Sequence, residues 1–285
     1  MRERGGQHAA WAAPLLLLLL LALGGCEIAH NYEDPAGPRY AGDFVTATPA
    51  AGPVLRVVTY NLALGEEVDT AIAALSRPPL AGADVLLMQE MDAPGVERIA
   101  RALGLRYVYY PAFIQKDGDD FGNAVLTPWP LLSDRKVLLP SYDPYVHSRR
   151  AATVAVLELA GHRAAVASMH SHTLGTGLGA RLDQSDALCD ALDAVVDESG
   201  AGLRFVGGDF NTPDLGAGAQ LVELYRGRDY DWASEGSGDT VDWLLGSLVS
   251  DYVFSQGASA LARGVDRGAT GTDHHPIWVE FAWPP

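Results

Sequence analysis

Short apolar runs alternate with amphipathic stretches along most of the chain. Runs rich in β-branched and other apolar residues predict strands at 54–60, 85–89, 106–110, 122–127, 152–159, 164–169, 204–207, 251–254 and 277–281. Stretches with a helical period predict helices at 66–76, 94–103 and 180–198. Many strands with few long helices favour a four-layer α/β sandwich, in which two packed mixed β-sheets are flanked by helices.

The N-terminus carries a different pattern. Arg2 and Arg4 precede an apolar run at 11–23, which is short for a transmembrane helix and typical of a signal peptide. The run ends in Leu23-Gly24-Gly25-Cys26, which resembles the bacterial lipobox. We therefore expect residues 1–25 to be removed and Cys26 to be lipidated. The alternative is an ordinary signal peptide or an uncleaved anchor with an incidental cysteine.

The segment after Cys26 has few large apolar residues and no regular period. This composition predicts that residues 26–53 form a flexible tether. Residues 54–285 show neither an internal repeat nor a second linker, and we expect one domain there. The second cysteine, Cys189, falls on the apolar stripe of the helix predicted at 180–198, which indicates a buried thiol and no disulfide.

The formal net charge is −16. Because nucleic-acid binding without sequence preference depends on Lys and Arg neutralising phosphates, this charge argues against a protein that coats DNA or RNA. It does not argue against a small phosphoester that is held through a metal ion.

Polar residues follow the predicted strands. Asn61 follows the strand at 54–60, Glu90 follows the strand at 85–89, and Asp209 and Asn211 lie in a glycine-rich turn after 204–207. Each alone is explained as a turn former or a solvated strand end. The cluster at 272–276 is less ordinary, because a carboxylate beside imidazoles is what a hard-metal site with an adjacent acid or base needs.

The informative feature is the order of these segments along the chain. They are Thr59-Tyr60-Asn61, Met88-Gln89-Glu90, Gly122-Asn123-Ala124-Val125-Leu126, Arg150, Ser168-Met169-His170, Gly208-Asp209-Phe210-Asn211, Asp251-Tyr252-Val253-Phe254 and Thr272-Asp273-His274-His275-Pro276. In this order they resemble the endonuclease/exonuclease/phosphatase superfamily, which includes deoxyribonuclease I, abasic-site endonucleases, neutral sphingomyelinases and inositol polyphosphate 5-phosphatases. The resemblance covers essentially the whole predicted domain.

The resemblance implies an Mg²⁺-dependent phosphoester hydrolase, with Mn²⁺ as the alternative ion, that acts by direct in-line attack of water. It implies that Glu90 is the principal metal ligand, with Asn61 and Asp273 close to the ion. Asp209 would orient or deprotonate the attacking water, and Asn211 would hold a phosphate oxygen. Mg²⁺ prefers oxygen ligands and keeps several waters, which agrees with this set.

The resemblance also assigns the histidines. His274 would be the catalytic histidine, held by Asp251, and His170 would donate to the phosphate or the leaving group. Asn123 and Arg150 would contact the substrate. Two alternatives stay open: His172 in place of His170, and Asp242 in place of Asp251. Ala63 stands where the abasic-site endonucleases carry an aspartate, which speaks against that subgroup.

Two other functions remain open at this point. One is an envelope-anchored binding protein that keeps the fold without catalysis, and the other is a two-metal phosphoesterase of the calcineurin type. The first would be favoured if the motif residues were dispersed rather than gathered at one pocket. The motifs do not distinguish a lipid, a small molecule or a nucleic acid as substrate. We expect a monomeric, exported cell-envelope lipoprotein, periplasmic or surface-facing, attached to the membrane through its N-terminus.

Overall fold

The computed structural model describes residues 29–47, 49–115, 118–212, 215–243 and 246–284. The predicted signal peptide and Cys26 lie outside these ranges. No helix within them is both long and apolar enough to cross a lipid bilayer.

The chain alternates strands and helices. The strands are β1 His30–Asn31, β2 Tyr40–Asp43, β3 Leu55–Asn61, β4 Val85–Met91, β5 Arg106–Ile114, β6 Asp120–Thr127, β7 Leu131–Leu138, β8 Ala151–Leu159, β9 His162–His170, β10 Leu203–Asp209, β11 Asp231–Trp232, β12 Val241–Trp243, β13 Gly246–Leu248, β14 Asp251–Gln256, β15 Ala260–Val265 and β16 Ile277–Phe281. The α-helices are α1 Val68–Leu75, α2 Ala93–Leu103, α3 Leu178–Ser199 and α4 Leu215–Gly227. Short 3₁₀ turns lie at Ala63–Gly65 and Leu174–Thr176.

The strands form two mixed sheets. The eight-stranded sheet has the order β1-β5-β6-β4-β3-β16-β15, with β2 also paired to β5. The six-stranded sheet has the order β11-β14-β10-β9-β8-β7, and β12 pairs with β13 separately. Each large sheet contains a parallel pair, β3 with β4 and β9 with β10.

The two sheets pack face to face with helices outside. Side chains such as Leu87 and Val125 of the first sheet share one core with Val166 and Phe205 of the second. On the outer face of the first sheet, Met88 packs in a core with helices α1 and α2. The outer face of the second sheet packs against α3 and α4. The structure therefore confirms the predicted four-layer α/β sandwich.

Local sequence explains how helix α2 begins and ends. Asp92 accepts a hydrogen bond from the backbone N–H of Gly95 at 3.0 Å, and Pro94 lies in the first turn, where a missing N–H costs nothing. Gly104 ends the helix in the left-handed conformation, with φ 66°. Helix α3 contains Cys189, which is free and buried as predicted. Burial raises the pKa of this thiol to about 12.

The segment predicted as a tether contains strands that its composition did not indicate. β1 pairs with β5 at Ile114 and Phe113, and β2 pairs with β5 from Tyr109 to Arg106. Both strands bury little side-chain surface, so backbone pairing and polar contacts hold them rather than an apolar face. The elements β7, β15 and α4 were also not predicted. β7 and β15 are edge strands of their sheets with mixed polar sequences, and α4 contains several glycines.

Candidate active site

Polar side chains collect at one edge of the sandwich, where β3, β4, β9 and β10 end and β14 begins. We call this the polar edge. Asp209 at the end of β10 is paired with His170 on the parallel strand β9 and with Asp251 on the antiparallel strand β14. Strand register alone therefore places these three residues side by side.

Gly208 permits this register. The sequence pattern predicted a turn after residue 207, whereas β10 continues to Asp209. A Cβ at Gly208 would lie 1.8 Å from the backbone oxygen of Met169, and its φ is 156°. A side chain has no space here, so glycine is required for β10 to run beside β9 up to Asp209.

Glu90 is aimed at the polar edge by an irregularity in β4. The β4–β6 register shifts between Met88 and Met91, and Glu90 has a left-handed φ of 56°. Such backbone conformations are costly in residues with a side chain and are found where a bulge redirects one. The Glu90 carboxylate consequently turns towards Asp209 on the other sheet.

Asn61 connects the two carboxylates. Its amide nitrogen donates to Glu90 Oε1 at 3.1 Å and to Asp209 Oδ2 at 3.2 Å. Burial raises the pKa of Glu90 and that of Asp209, each of which is also raised by a neighbouring carboxylate. The Asn61 amide is thus a shared hydrogen-bond donor to two carboxylates, of which Asp209 is buried and Glu90 is largely buried.

A buried polar contact joins the two sheets beneath these carboxylates. Gln89 Nε2 donates to Ser168 Oγ at 2.9 Å, and Ser168 Oγ donates to the backbone oxygen of Met88 at 2.9 Å. Gln89 and Ser168 are fully buried. Since Gln89 belongs to the first sheet and Ser168 to the second, this contact fixes the position of Glu90 relative to His170.

His274 lies between two aspartates. Its Nδ1 is 2.9 Å from Asp251 Oδ2, and its Nε2 is 3.6 Å from Asp209 Oδ2. Burial opposes protonation of the ring, but the two carboxylates outweigh it and raise the pKa of His274 to about 10. The ring is therefore a cation at neutral pH, with Nδ1–H donating to Asp251 and Nε2–H turned towards Asp209.

His170 is held in the opposite protonation state. Burial and the nearby cations Arg150 and His274 bring the pKa of His170 well below its usual value. Its Nδ1 lies 3.4 Å from Arg150 Nη1, and its Nε2 lies 3.0 Å from the Asn211 amide. The same Nε2 is 3.5 Å from Asp209 Oδ2. His170 is consequently a neutral imidazole directed at the carboxylates.

Arg150 and Asn123, predicted to contact substrate, lie beneath the polar edge. The Arg150 guanidinium is buried 4.7 Å above the Phe121 ring, and its charge acts on Glu90 and Asp209. Asn123 is buried and donates to the backbone oxygen of Ala151 at 2.6 Å. Its Oδ1 has no hydrogen-bond partner among the described residues.

Three other residues considered from the sequence do not join the group of side chains at the polar edge. Asp273 is exposed, and its carboxylate belongs to neither group of metal-ligand side chains found within the described ranges. His172 is turned away, with Nε2 3.3 Å from the Ser141 backbone oxygen. Asp242 contacts His275 Nε2 at 2.9 Å rather than His274. Among the alternatives left open by the sequence, the structure gathers His170 and Asp251 at the polar edge.

Two residues that support the site were not predicted. Ser250 Oγ donates to Asp209 Oδ1 at 2.6 Å, and the Asn211 backbone N–H donates to the same oxygen at 2.8 Å. Thr240 Oγ1 accepts from the backbone N–H groups of Ser250 and Asp251 at 3.0 and 3.1 Å. Ser250 adjoins Asp251 in the sequence, which is a weak signal, whereas nothing in the sequence marks Thr240.

The donor set suits a hard divalent cation. Ligand-type atoms of Glu90, His170 and Asp209 lie within 4.8 Å of one another, and so do those of Asp209, Asp251 and His274. The Glu90 and Asp209 carboxylates repel each other, and a cation that binds oxygen would offset this repulsion. The residues present therefore fit an oxygen-liganded metal ion.

The fold of the chain is similar to that of several solved proteins. Among solved structures, an endonuclease/exonuclease/phosphatase family protein from Bacteroides thetaiotaomicron has a TM-score of 0.65 and 16% sequence identity to this chain. The similarity covers 81% of this chain and 95% of that one. The mannosyl-6-phosphatase of Bacteroides thetaiotaomicron VPI-5482 gives 0.63 and 17%, over 80% and 100%. Humanized D. rerio TDP2 gives 0.63 and 16%, over 81% and 100%. At such low sequence identity, these similarities show a shared fold and nothing more.

The family itself follows from the sequence. Residues 58–274 match the model of the Endonuclease/Exonuclease/phosphatase family, and the chain belongs to that family. Members of this family are hydrolases that act on phosphoesters. No curated protein gives a significant match to the chain.

Proposed function

We propose that this protein is a divalent-metal-dependent phosphoester hydrolase that uses Mg²⁺ or Mn²⁺ and acts by in-line attack of water. The observation that carries the proposal is the meeting of side chains from both sheets at one edge. They are Asn61, Glu90, His170, Asp209, Asn211, Asp251 and His274.

Glu90 would hold the ion, with Asn61 and Asp209 beside it. Asp273 adjoins His274 in the sequence and would lie close to the ion. When bound, such an ion polarises a phosphoryl oxygen and offsets its negative charge. The raised pKa values of Glu90 and Asp209 support this assignment, because a bound cation would favour the charged form of both groups.

Asp209 is arranged to orient a water molecule. Its Oδ1 is fixed by Ser250 Oγ and by the backbone N–H of Asn211. Its Oδ2 faces the side chains of Asn61, His170 and His274. A carboxylate fixed through one oxygen keeps the other in a defined direction, and this second oxygen can accept the proton of the attacking water.

The two histidines take different tasks. His274, positively charged and held by Asp251, donates from Nε2 to a phosphate oxygen and stabilises the negative charge that develops there. His170 is neutral, and with its single proton on Nε2 and with Nδ1 facing the Arg150 guanidinium it donates a hydrogen bond to the phosphate or the leaving group. The Asn211 amide, 3.0 Å from His170 Nε2, holds a phosphate oxygen next to it.

The two competing functions have less support. A binding protein without catalysis has no use for a buried carboxylate pair and a charged histidine that face each other. A calcineurin-type site uses several histidine and aspartate ligands near the first strands. Each group of metal-ligand side chains within the described ranges has a single histidine and includes Asp209, which lies in the last third of the chain.

Glu90→Gln in the full-length protein tests the function. Hydrolysis of the soluble substrate bis(p-nitrophenyl) phosphate should require Mg²⁺ or Mn²⁺ and stop with a chelator. The substitution removes one charge with little change in volume, so activity at low Mg²⁺ should fall on the order of a hundredfold and recover in part as Mg²⁺ rises.

Glu97→Gln is the matched control, because Glu97 lies on α2 in an ion pair with Arg101 and its side chain is 46% exposed. It should keep full activity. Hydrolysis that withstands both the chelator and Glu90→Gln would remove the metal and Glu90 from the mechanism together.

We propose further that the protein is exported and attached to the cell envelope through lipidated Cys26, and that it acts as a monomer. Wild-type protein should partition with membranes and incorporate a fatty-acid analogue, whereas Cys26→Ser should do neither. Equal partitioning of the two proteins would favour an uncleaved helix. A panel of DNA, RNA, sphingomyelin, phosphoinositides and sugar phosphates would identify the substrate.

A further inference from the structure

Exposed large apolar side chains are concentrated in one loop. Tyr142, Tyr145 and Val146 are 43%, 71% and 39% exposed, and they fall within five consecutive residues between β7 and β8. We call residues 142–146 the aromatic loop. The other exposed large apolar side chains are scattered singly, which is ordinary for a protein surface. The aromatic loop differs because three exposed large apolar side chains lie together in it.

The aromatic loop lies at the polar edge. Thr153 of β8 pairs with Ser168, two residues before His170, so β8 begins beside the end of β9. Residues just before the loop contact the chain next to this edge: the Ser141 backbone oxygen is 3.3 Å from Nε2 of His172, two residues after β9 ends, and the Pro140 backbone oxygen accepts from Gln184 of α3 at 3.1 Å. The exposed tyrosines consequently lie at the same end of the second sheet as the candidate active site.

The N-terminal segment is bound to the same loop. The backbone N–H of Ala29 donates to the Val146 oxygen at 2.7 Å. The Asn31 side chain donates to the His147 oxygen and accepts from the Arg149 N–H, both at 2.7 Å. Glu33 contacts Arg149 at 2.7 Å and accepts from the Tyr142 hydroxyl at 3.1 Å. The described chain therefore begins against the aromatic loop.

The length of the preceding chain limits where a membrane anchor can be. Cys26 is three residues before Ala29. Because an extended chain spans at most about 3.6 Å per residue, Cys26 lies within roughly 11 Å of Ala29. A lipid attached to Cys26, or the apolar run at 11–23 if it is retained, brings a bilayer surface to this side of the molecule.

The charges around the loop indicate the kind of surface. Arg149 is paired with Glu33, and the Asp143 carboxylate accepts from the backbone N–H groups of Tyr145 and Val146. The loop thus offers aromatic rings with no free cation among its described side chains, and the whole chain carries −16. Tyrosine favours the interface between headgroups and acyl chains. A neutral, zwitterionic bilayer suits this surface better than an anionic one.

We propose that the aromatic loop docks on a zwitterionic lipid surface and turns the polar edge towards it, so that the substrate is a phosphoester borne at that surface. This inference rests on the hydrolase activity and membrane attachment proposed above. Tyr145 makes the largest contribution, since it is the most exposed residue of the loop and its ring packs over Gly175, where a Cβ would lie 3.1 Å from Tyr145 Cε2.

The first test locates the loop directly. The full-length protein is reconstituted in phosphatidylcholine vesicles with an environment-sensitive fluorophore on Tyr145→Cys or on Leu261→Cys. Leu261 is 61% exposed but lies on the edge strand β15. Cys189 should not react with the fluorophore because it is buried, and Cys26 should not react because it carries the proposed lipid. The label at 145 should shift to the blue and be quenched by a lipid-borne nitroxide, whereas the label at 261 should behave as in water. If both labels on the vesicle-bound protein gave the emission that they give in water, the proposal would be overturned.

The second test separates docking from catalysis. Tyr145→Ser should lower hydrolysis of a phosphodiester lipid in these vesicles roughly tenfold, the loss expected for one aromatic side chain withdrawn from an apolar environment. It should leave hydrolysis of soluble bis(p-nitrophenyl) phosphate within about twofold, because Tyr145 does not touch the proposed catalytic groups. Tyr145→Trp should retain the vesicle activity, and Leu261→Ser should retain both.

Two outcomes would contradict the docking. A parallel loss of both activities in Tyr145→Ser would show that the loop supports the catalytic groups themselves. A dimer in detergent that Tyr145→Ser dissociates would assign the loop to a second copy of the chain. If wild-type protein hydrolyses neither substrate, the proposed function fails, while the fluorophore at 145 still decides whether the loop meets lipid.

Discussion

Two neighbouring histidines each lie 2.9 Å from an aspartate, yet their surroundings differ. His274 is paired with Asp251, whose side chain is 3% exposed, and the far side of its ring faces Asp209. His275 is paired with Asp242, whose side chain is 53% exposed and also contacts Arg267 and Ser247. A hydrogen-bond distance alone therefore does not distinguish the two pairs.

The surroundings have different electrostatic consequences. The buried pair raises the pKa of His274 to about 10 despite the cost of burying a cation. In the exposed pair, contacts with Ser247, His275 and Arg267 lower the pKa of Asp242 to about 2, but solvent and salt screen such surface interactions. The pair of His274 and Asp251 differs from the exposed pair in two ways: a third charged group, Asp209, faces the ring, and both side chains are largely shielded from water.

The largest effect should come from removing the buried imidazole. His274→Ala should lower kcat by about a thousandfold with little change in KM, because the charge that His274 supplies matters most in the transition state. Steady-state kinetics with a soluble phosphodiester would measure this. A change confined to KM would mean that His274 only binds substrate.

A somewhat smaller loss in kcat is expected for Asp251→Asn, which keeps the ring but removes its partner's charge. The double variant His274→Ala/Asp251→Asn should be scarcely worse than His274→Ala alone, since the carboxylate then has nothing to hold. A double-mutant cycle on kcat measures this coupling. If the losses in kcat of the two single variants were additive in the double variant, His274 and Asp251 would not act as a pair.

Protonation of His274 should also appear in the stability of the metal-free protein. Its pKa is raised in the folded state from an ordinary value of 6.5 to about 10. The stabilisation is therefore complete below about pH 6.5 and is lost as the pH rises to about 10. Urea unfolding with a chelator should show the free energy of unfolding falling by a few kcal/mol over this window. His274→Ala should lack that decrease, and an identical slope in both proteins would contradict it.

The smallest effect is expected for the exposed pair. Asp242→Asn should leave kcat within about twofold of wild type, because Asp242 contacts no group at the polar edge through its side chain. The same kinetic assay serves as the measurement. If Asp242→Asn lost activity and Asp251→Asn did not, the roles of the two aspartates would have to be exchanged.

Much of the fold was predictable because the buried strands have strong local patterns. β3, β4, β8, β9 and β16 begin and end within two residues of their predicted limits. β7 and β15 were not predicted, because an edge strand is specified partly by the neighbour it pairs with and less by its own sequence. β1 and β2 depend on β5 in the same way, which is why their segment had the composition of a linker.

The candidate site was predictable to the extent that its residues stand at strand ends in a recognisable order. His170 and His172 could not be separated by alternation, because β9 ends at His170 and the alternation of side chains ends with it. Ser250 and Thr240 support Asp209 and Asp251 through contacts between distant segments. Such contacts depend on tertiary packing that no local pattern encodes.

The hydrogen bond between Gln89 and Ser168 has a consequence for how such a protein can diversify. It joins the strand that carries Glu90 to the strand that carries His170, deep beneath the solvent-facing loops. The spacing between Glu90 and His170 is thus set by the two packed sheets and not by the loop between β7 and β8. The loop between β7 and β8 can accordingly change in length and chemistry, and with it the preferred substrate, while the reaction stays the same.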